Sequence, residues 1–213
     1  VFTGVDTRQK KAIPIGELHM LLNKDPQSEK LRRTQAIANL LFQFCGMPFS
    51  DLAHLEKSNL ERGLLKYNRT KTGTPMSIEV LESAQNAIGG LYNKSDARSS
   101  GYPDYLFRIL SGAYKRNEEG AYREYQSALR RFNNELKSLS RKLRLHSPVT
   151  SYTLRHSWAT TAKYRGVPIE MISESLGHKS IKTTQIYLKG FELEERTKVN
   201  KSNYSYVCNF KML

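Results

Sequence analysis

Cysteine is scarce in these 213 residues, with only Cys45 and Cys208 present. Two thiols so far apart support neither a disulfide scaffold nor a cysteine-rich zinc module. The five histidines, His19, His54, His146, His156 and His178, form no HxxxH pair, so metal chemistry has little support. Long apolar runs are missing as well. The most apolar stretch, Ala36 to Phe49, is interrupted by Asn39 and Gln43, short of the roughly 18 residues a transmembrane helix needs. No glycine-rich loop ends in Gly-Lys-Ser/Thr, which excludes a Walker-type phosphate loop. Lys71-Thr72-Gly73 matches the triad of penicillin-binding enzymes, but no Ser-x-x-Lys accompanies it. The start, Val1-Phe2-Thr3-Gly4, has neither the charged nor the apolar region of a secretory leader. It also lacks an initiator Met, as expected of a domain excised from a longer chain.

Acidic residues are outnumbered, 20 Asp+Glu against 34 Lys+Arg, for a formal net charge of +14. That excess makes a polyanion the expected partner. Nucleic acid fits better than a membrane surface, because no segment pairs a basic face with an exposed Trp/Phe/Leu face. Hydrophobic residues at 38% with 10% aromatics exclude a disordered basic tail and imply a real core.

The pattern predicts a mostly α protein with one small antiparallel β-sheet, an α+β class. Residues 1–27 read as an irregular lead-in holding a short segment, Gly16 to Asn23. Ser28 caps a helix from Glu29 to Cys45, stopped by Gly46. Pro48 and Ser50 open a short helix through Ala53 and Leu55. Strands are expected over Leu64 to Arg69 and Met76 to Val80, joined at Lys71-Thr72-Gly73-Thr74. A helix follows over Leu81 to Tyr92, then a loop from Asn93 to Asp104 and a short helix over Tyr105 to Leu110. Tyr122, Tyr125, Leu129, Phe132, Leu136, Leu139 and Leu143 predict the apolar face of a helix over Glu118 to Leu143. Arg123, Arg130, Arg131, Lys137, Arg141 and Lys142 line its other face. Shorter helices are expected over Tyr152 to Arg165, Pro168 to Leu176 and Ser180 to Lys189, each ended by Gly. A tail helix over Glu192 to Asn200 and a loose C-terminus from there to 213 complete the chain.

The most specific residues lie between 150 and 190. Thr150-Ser151-Tyr152-Thr153-Leu154-Arg155-His156-Ser157-Trp158 places an Arg on a helix whose apolar side faces inward. Ser175-Leu176-Gly177-His178-Lys179 places a His after a helix-ending Gly, and Tyr187 follows that His by nine residues. An Arg offers a planar fork for two phosphate oxygens, a His can donate to a third, and a Tyr is an oxygen nucleophile.

These segments resemble the catalytic domain of the tyrosine recombinase (phage integrase) family. Leu154-Arg155-His156, Leu176-Gly177-His178 and Thr184-x-x-Tyr187 are similar to its C-terminal signature. Arg69-Thr70-Lys71-Thr72-Gly73 is similar to its lysine-bearing hairpin, and Gly46 to Leu55 to its first arginine box. The resemblance covers roughly Glu29 to Phe191. The wording of Gly46-Met47-Pro48-Phe49-Ser50-Asp51-Leu52 and Tyr152-Thr153-Leu154-Arg155-His156-Ser157-Trp158 is most similar to integrases of Bacteroides-type mobile elements. The resemblance implies a site-specific recombinase that cuts and rejoins double-stranded DNA through a 3′-phosphotyrosyl link. Tyr187 would be its nucleophile, Arg155 its phosphate clamp, His178 a donor to the phosphate or a handler of the tyrosine proton, and Lys71 the acid for the leaving oxygen. Arg69 and Lys179 would touch DNA. It implies no ATP, metal or other cofactor, a homo-oligomer, expected as a tetramer on DNA, and a bacterial cytoplasmic setting. The chain would be one catalytic domain over 1–213, without the N-terminal domain that clamps DNA.

Two positions depart from the family pattern. Pro48 stands where the first box usually has Arg, and Tyr152 stands where the second usually has His. A lost Arg removes half of the clamp, so another cation is expected to fill the gap, with Arg32, Arg33 or Lys30 as candidates from the preceding helix. Tyr152 can still donate through its hydroxyl. The other reading these departures permit is a degenerate module that binds DNA without cutting it.

Overall fold

The computed structural model describes residues 12–92, 102–188 and 193–208. Helices α1 (Ile15–Asn23), α2 (Glu29–Gln43) and α3 (Phe49–Ala53) come first. Next is an antiparallel sheet of β1 (Leu60–Glu61), β2 (Leu64–Asn68) and β3 (Pro75–Glu79), in spatial order β1-β2-β3. Helices α4 (Glu82–Leu91), α5 (Glu119–Lys142), α6 (Ser151–Tyr164), α7 (Ile169–Ser175), α8 (Ile181–Leu188) and α9 (Leu193–Cys208) follow.

The periodicity that predicts the long helix also decides what it buries. Ala121, Ala128, Phe132, Leu136 and Leu139 of α5 are buried, with Tyr125 and Leu129 half-covered beside them. The arginines and lysines of the opposite face are exposed. Tyr122, expected on the apolar face, is 64% exposed. Ala121 holds the inward place one turn before Tyr125, and a 3.6-residue period leaves Tyr122 on the flank.

In the hairpin, Leu65 pairs with Ile78, and both side chains turn into the core. Its loop closes through Arg69 N–H to Thr74 O (2.9 Å) and Gly73 N–H to Arg69 O (2.8 Å). Strand β1 is an addition to the expected hairpin, two residues being too few to show an alternation. Ser28 does precede α2, but its side chain makes no capping bond.

Three further expectations are corrected. Within the lead-in expected to be irregular over 1–27, Ile15–Asn23 is the helix α1. Tyr105 to Leu110 is not helical: Tyr105 and Phe107 form bridges to Glu56 and Tyr92, Leu106 N–H donates to Leu55 O at 2.7 Å, and Arg108-Ile109 is a turn. A short apolar run buried on both sides has no periodicity to tell strand from helix. The tail helix also continues to Cys208 instead of loosening after Asn200. No Gly or Pro interrupts that stretch. Residues 1–11, and the part of the expected loop over 93–101, lie outside the described residues.

Burial falls into two clusters. The larger joins α1 to α5 and the sheet with Leu154 of α6. The smaller packs Ala159 and Ala162 of α6 against Ile172, Leu176 and Leu188, with Trp158 and Val167 at its edge. Helix α6 belongs to both, so residues in its middle turns sit at the seam between them. Among the described residues no helix is long and apolar enough to cross a membrane.

Candidate active site

Helix α6 begins at a reciprocal cap: Thr153 N–H donates to Thr150 Oγ1 (3.1 Å), and Thr150 N–H donates to Thr153 Oγ1 (2.8 Å). This fixes the first turn and with it Arg155, which is 7% exposed. Arg155 Nη1 donates to Gly46 O at 2.8 Å and Nη2 to Leu176 O at 2.6 Å. Gly46 is required where it stands. It has φ +64, and a Cβ there would lie 3.1 Å from Trp158 Cβ and 3.3 Å from Arg155 Cα. The turn before α3 therefore presses against α6 and hands its carbonyl to the guanidinium.

The second acceptor comes from the end of α7. Gly177 N–H bonds Glu174 O (2.8 Å), and His178 N–H bonds Ser173 O (3.0 Å), the paired bonds of a Schellman turn. The Leu176 carbonyl, at the helix cap, accepts from both Arg155 and Arg69. Two guanidiniums from distant elements thus converge on one oxygen. Arg69 is also 7% exposed, and its Nε lies 2.7 Å from Asp51 Oδ2 on α3. The other oxygen of Asp51 accepts from Thr70 N–H (3.1 Å). Gly177, at φ +63, lies so close to the hairpin that a Cβ would be 2.8 Å from Met76 Sδ and 3.0 Å from Arg69 Cγ. Thr72 Oγ1 reaches Gly177 O at 3.5 Å. These contacts seat the hairpin tip, with Lys71 exposed, against the turn that carries His178.

The His178 ring spans the gap between α6 and α8. Its Nε2 is 3.3 Å from Arg155 Nη2, and its Nδ1 is 2.8 Å from Thr184 Oγ1. Burial, and then the charges of Arg155, Arg69 and Lys71, push its pKa down to about 4, so the ring is neutral at pH 7. Tyr187 lies on the last turn of α8, and its side chain lies outside the described residues. Tyr152 stands one turn before Arg155 and is 43% exposed. Lys179 follows His178 on the surface.

The cation expected from α2 is not the one that shares an acceptor with Arg155. Arg32 is held by Asp25 (Nε–Oδ1 3.0 Å) and Glu29, Arg33 donates to Arg108 O (2.7 Å), and Lys30 pairs with Glu135. Arg69 takes that place because the hairpin folds over the α7 turn. Sequence reasoning named Arg69 only as a DNA contact and missed Asp51 and Thr184. The available signal was the Arg two residues before Lys71, together with an Asp inside the segment that lacks its Arg. Among the described residues no three His, Cys, Asp or Glu side chains gather as metal ligands.

Residues 15–193 match the phage integrase family. The tyrosine recombinase XerD of Halalkalibacterium halodurans is 30% identical over 190 residues, which are 84% of this chain and 57% of that protein. The chain thus spans a little over half of that relative. Among solved structures, XerA recombinase superposes with a TM-score of 0.63 at 21% identity, covering 99% of this chain and 68% of that one. The Tn1549 transposon integrase, solved in complex with a circular intermediate DNA, gives a TM-score of 0.58 at 16% identity, covering 92% and 67%.

Proposed function

The chain belongs to the phage integrase family, and we propose that it is the part of a site-specific recombinase that cuts and rejoins DNA. The observation that carries this reading is the convergence of Arg155 and Arg69 on the Leu176 carbonyl beside His178. A phosphodiester beside that carbonyl meets the positive charge of two guanidiniums, the arrangement that offsets the charge of a pentavalent phosphorus. The phenolic oxygen of Tyr187 attacks the phosphorus, the P–O5′ bond breaks, and Lys71 gives a proton to the departing 5′ oxygen. The product is a 3′-phosphotyrosyl link, and attack by a 5′-hydroxyl from a second strand reverses the step. One phosphate ester replaces another, so no nucleotide hydrolysis is needed. Tyr152 is assigned as a hydroxyl donor at the active site where the family has His, and Lys179 to a contact with the bound DNA backbone.

Arg69 also favours cutting over a module that only binds, since it supplies the cation that Pro48 cannot. Exchange between two duplexes needs four strand cuts and hence four tyrosines, which supports a tetramer of the whole protein on DNA. The segment around Pro48 and Tyr152 supports the finer assignment to integrases of Bacteroides-type mobile elements, acting in a bacterial cytoplasm.

The test is a nicked suicide duplex carrying the attachment site, followed by a denaturing gel. The parent chain should form a covalent adduct. Tyr187→Phe should abolish it while DNA affinity and folding stay nearly unchanged, because one hydroxyl is removed. Adducts at the parental rate from Tyr187→Phe would assign the nucleophile elsewhere.

A further inference from the structure

Lys163 stands in the last turn of α6, about two turns beyond Arg155. Its side chain crosses to α8, where Nζ donates to Leu188 O at 3.2 Å. Leu188 is the last residue of α8, and the carbonyls of a helix's final turn have no partner within the helix. A lysine placed there also meets the negative end of the helix dipole. The Leu188 side chain is 9% exposed and belongs to the small cluster with Ala159 and Ala162 of α6, Ile172 of α7 and Leu176. One residue of α8 is thus fixed to α6 twice, by its side chain and by its carbonyl. Burial lowers the Lys163 pKa from the ordinary lysine value, as for an ammonium drawn partly out of water. Tyr187 immediately precedes the residue that is held.

We propose that Lys163 is a positioning residue: it fastens the end of α8 to α6 and so holds the backbone of Tyr187 at a set distance from Arg155. The proposal rests on the reading of Tyr187 as nucleophile. Arg155 and Lys163 share one helix, so a single rigid element carries both the phosphate clamp and the tether of the nucleophile's helix. Thr184, one turn before Leu188 on α8, is fully buried. Tyr187 therefore lies between two fixed points, and without the second the last turn frays, as helix ends do. A misplacement of about 1 Å costs on the order of a hundredfold in rate. In this role the ammonium touches no DNA, and its effect on cleavage passes through α8.

The test is Lys163→Met, which keeps a flexible stem of similar length and removes the donor. In single turnovers on the nicked suicide duplex at saturating DNA, adduct should form about a hundredfold more slowly, while fluorescence anisotropy gives the parental DNA affinity. Amide hydrogen exchange, read by NMR without DNA, should quicken at Tyr187 and Leu188 and stay parental in α7 and the first turns of α6. Lys163→Arg, which also donates, should restore both the rate and the protection. A parental rate from Lys163→Met, or unchanged exchange at the end of α8, would overturn the proposal. So would a rate loss matched by an equal loss of affinity, which would make Lys163 a DNA contact. If Lys163→Met fails to fold, exchange in the parent decides: Tyr187 and Leu188 should be protected as well as Gln185, and the fast exchange of a frayed end would overturn the tether. Adducts from Tyr187→Phe would move the nucleophile elsewhere and leave the exchange measurement intact, so the two failures are distinct.

Discussion

Burying a guanidinium costs several kcal/mol unless a carboxylate and further acceptors replace its water. Arg69 has both in Asp51 and the Leu176 carbonyl. Removing the carboxylate strands the charge, so Asp51→Ala should lower stability by about 3–5 kcal/mol, read from urea unfolding. Arg69→Ala should slow adduct formation about a hundredfold, the scale of losing one oxyanion donor. Arg69→Lys should not restore it, because an ammonium lacks the planar fork. Arg32→Ala and Arg33→Ala should cleave like the parent. A loss confined to Arg32 or Arg33 would return the second clamp to α2. His178 gives a separate signature. Its folded pKa of about 4 lies below the ordinary 6.5, so between these values the unfolded chain takes a proton that the folded chain refuses. The His178 contribution to stability should therefore be level above pH 6.5 and fall as pH drops from 6.5 toward 4. A His178→Gln chain should lack that component of the urea midpoint's pH dependence.

At the scale of elements, the site is a joint of four pieces: the turn before α3, the β2–β3 hairpin, helix α6 and the turn after α7. Glycines set two of the three contacts, and each is legible in sequence only as a helix stop. Gly177 shows what that leaves out. Ending a helix asks for φ above zero, which Asn can also adopt, but a Cβ here obliges the Met76 and Arg69 side chains of the hairpin to shift. Gly177→Ala should cost about 1–2 kcal/mol from the left-handed backbone alone. The contact 2.8 Å from Met76 Sδ adds to that, because the thioether must shift to admit the methyl group. Adding Met76→Ala should recover part of the stability in thermal unfolding. If Gly177→Ala alone unfolds like the parent, the hairpin is not seated as described.

For the whole molecule, the formal charge of +14 and the exposed basic face of α5 would act on the proposed DNA partner through affinity rather than chemistry. Each phosphate neutralised releases counterions, so log affinity should fall linearly with log salt, by about 0.9 per contact. Fluorescence anisotropy over a salt series should give a slope of several such contacts for cognate and unrelated duplexes alike. Tight, salt-insensitive binding would contradict an electrostatic origin.

The sequence alone was enough for the long α5 helix, the hairpin and the stops of α6 at Gly166 and α7 at Gly177, because each rests on local chemistry: periodicity, turn residues and short spacings. It did not reveal which cation stands beside Arg155. That choice depends on which backbones touch, and Arg69 and Leu176 are 107 positions apart. Proximity in sequence pointed to Arg32 and Arg33, on the helix leading into the box. Tertiary packing instead laid the hairpin across the α7 turn and made Arg69 share the acceptor of Arg155.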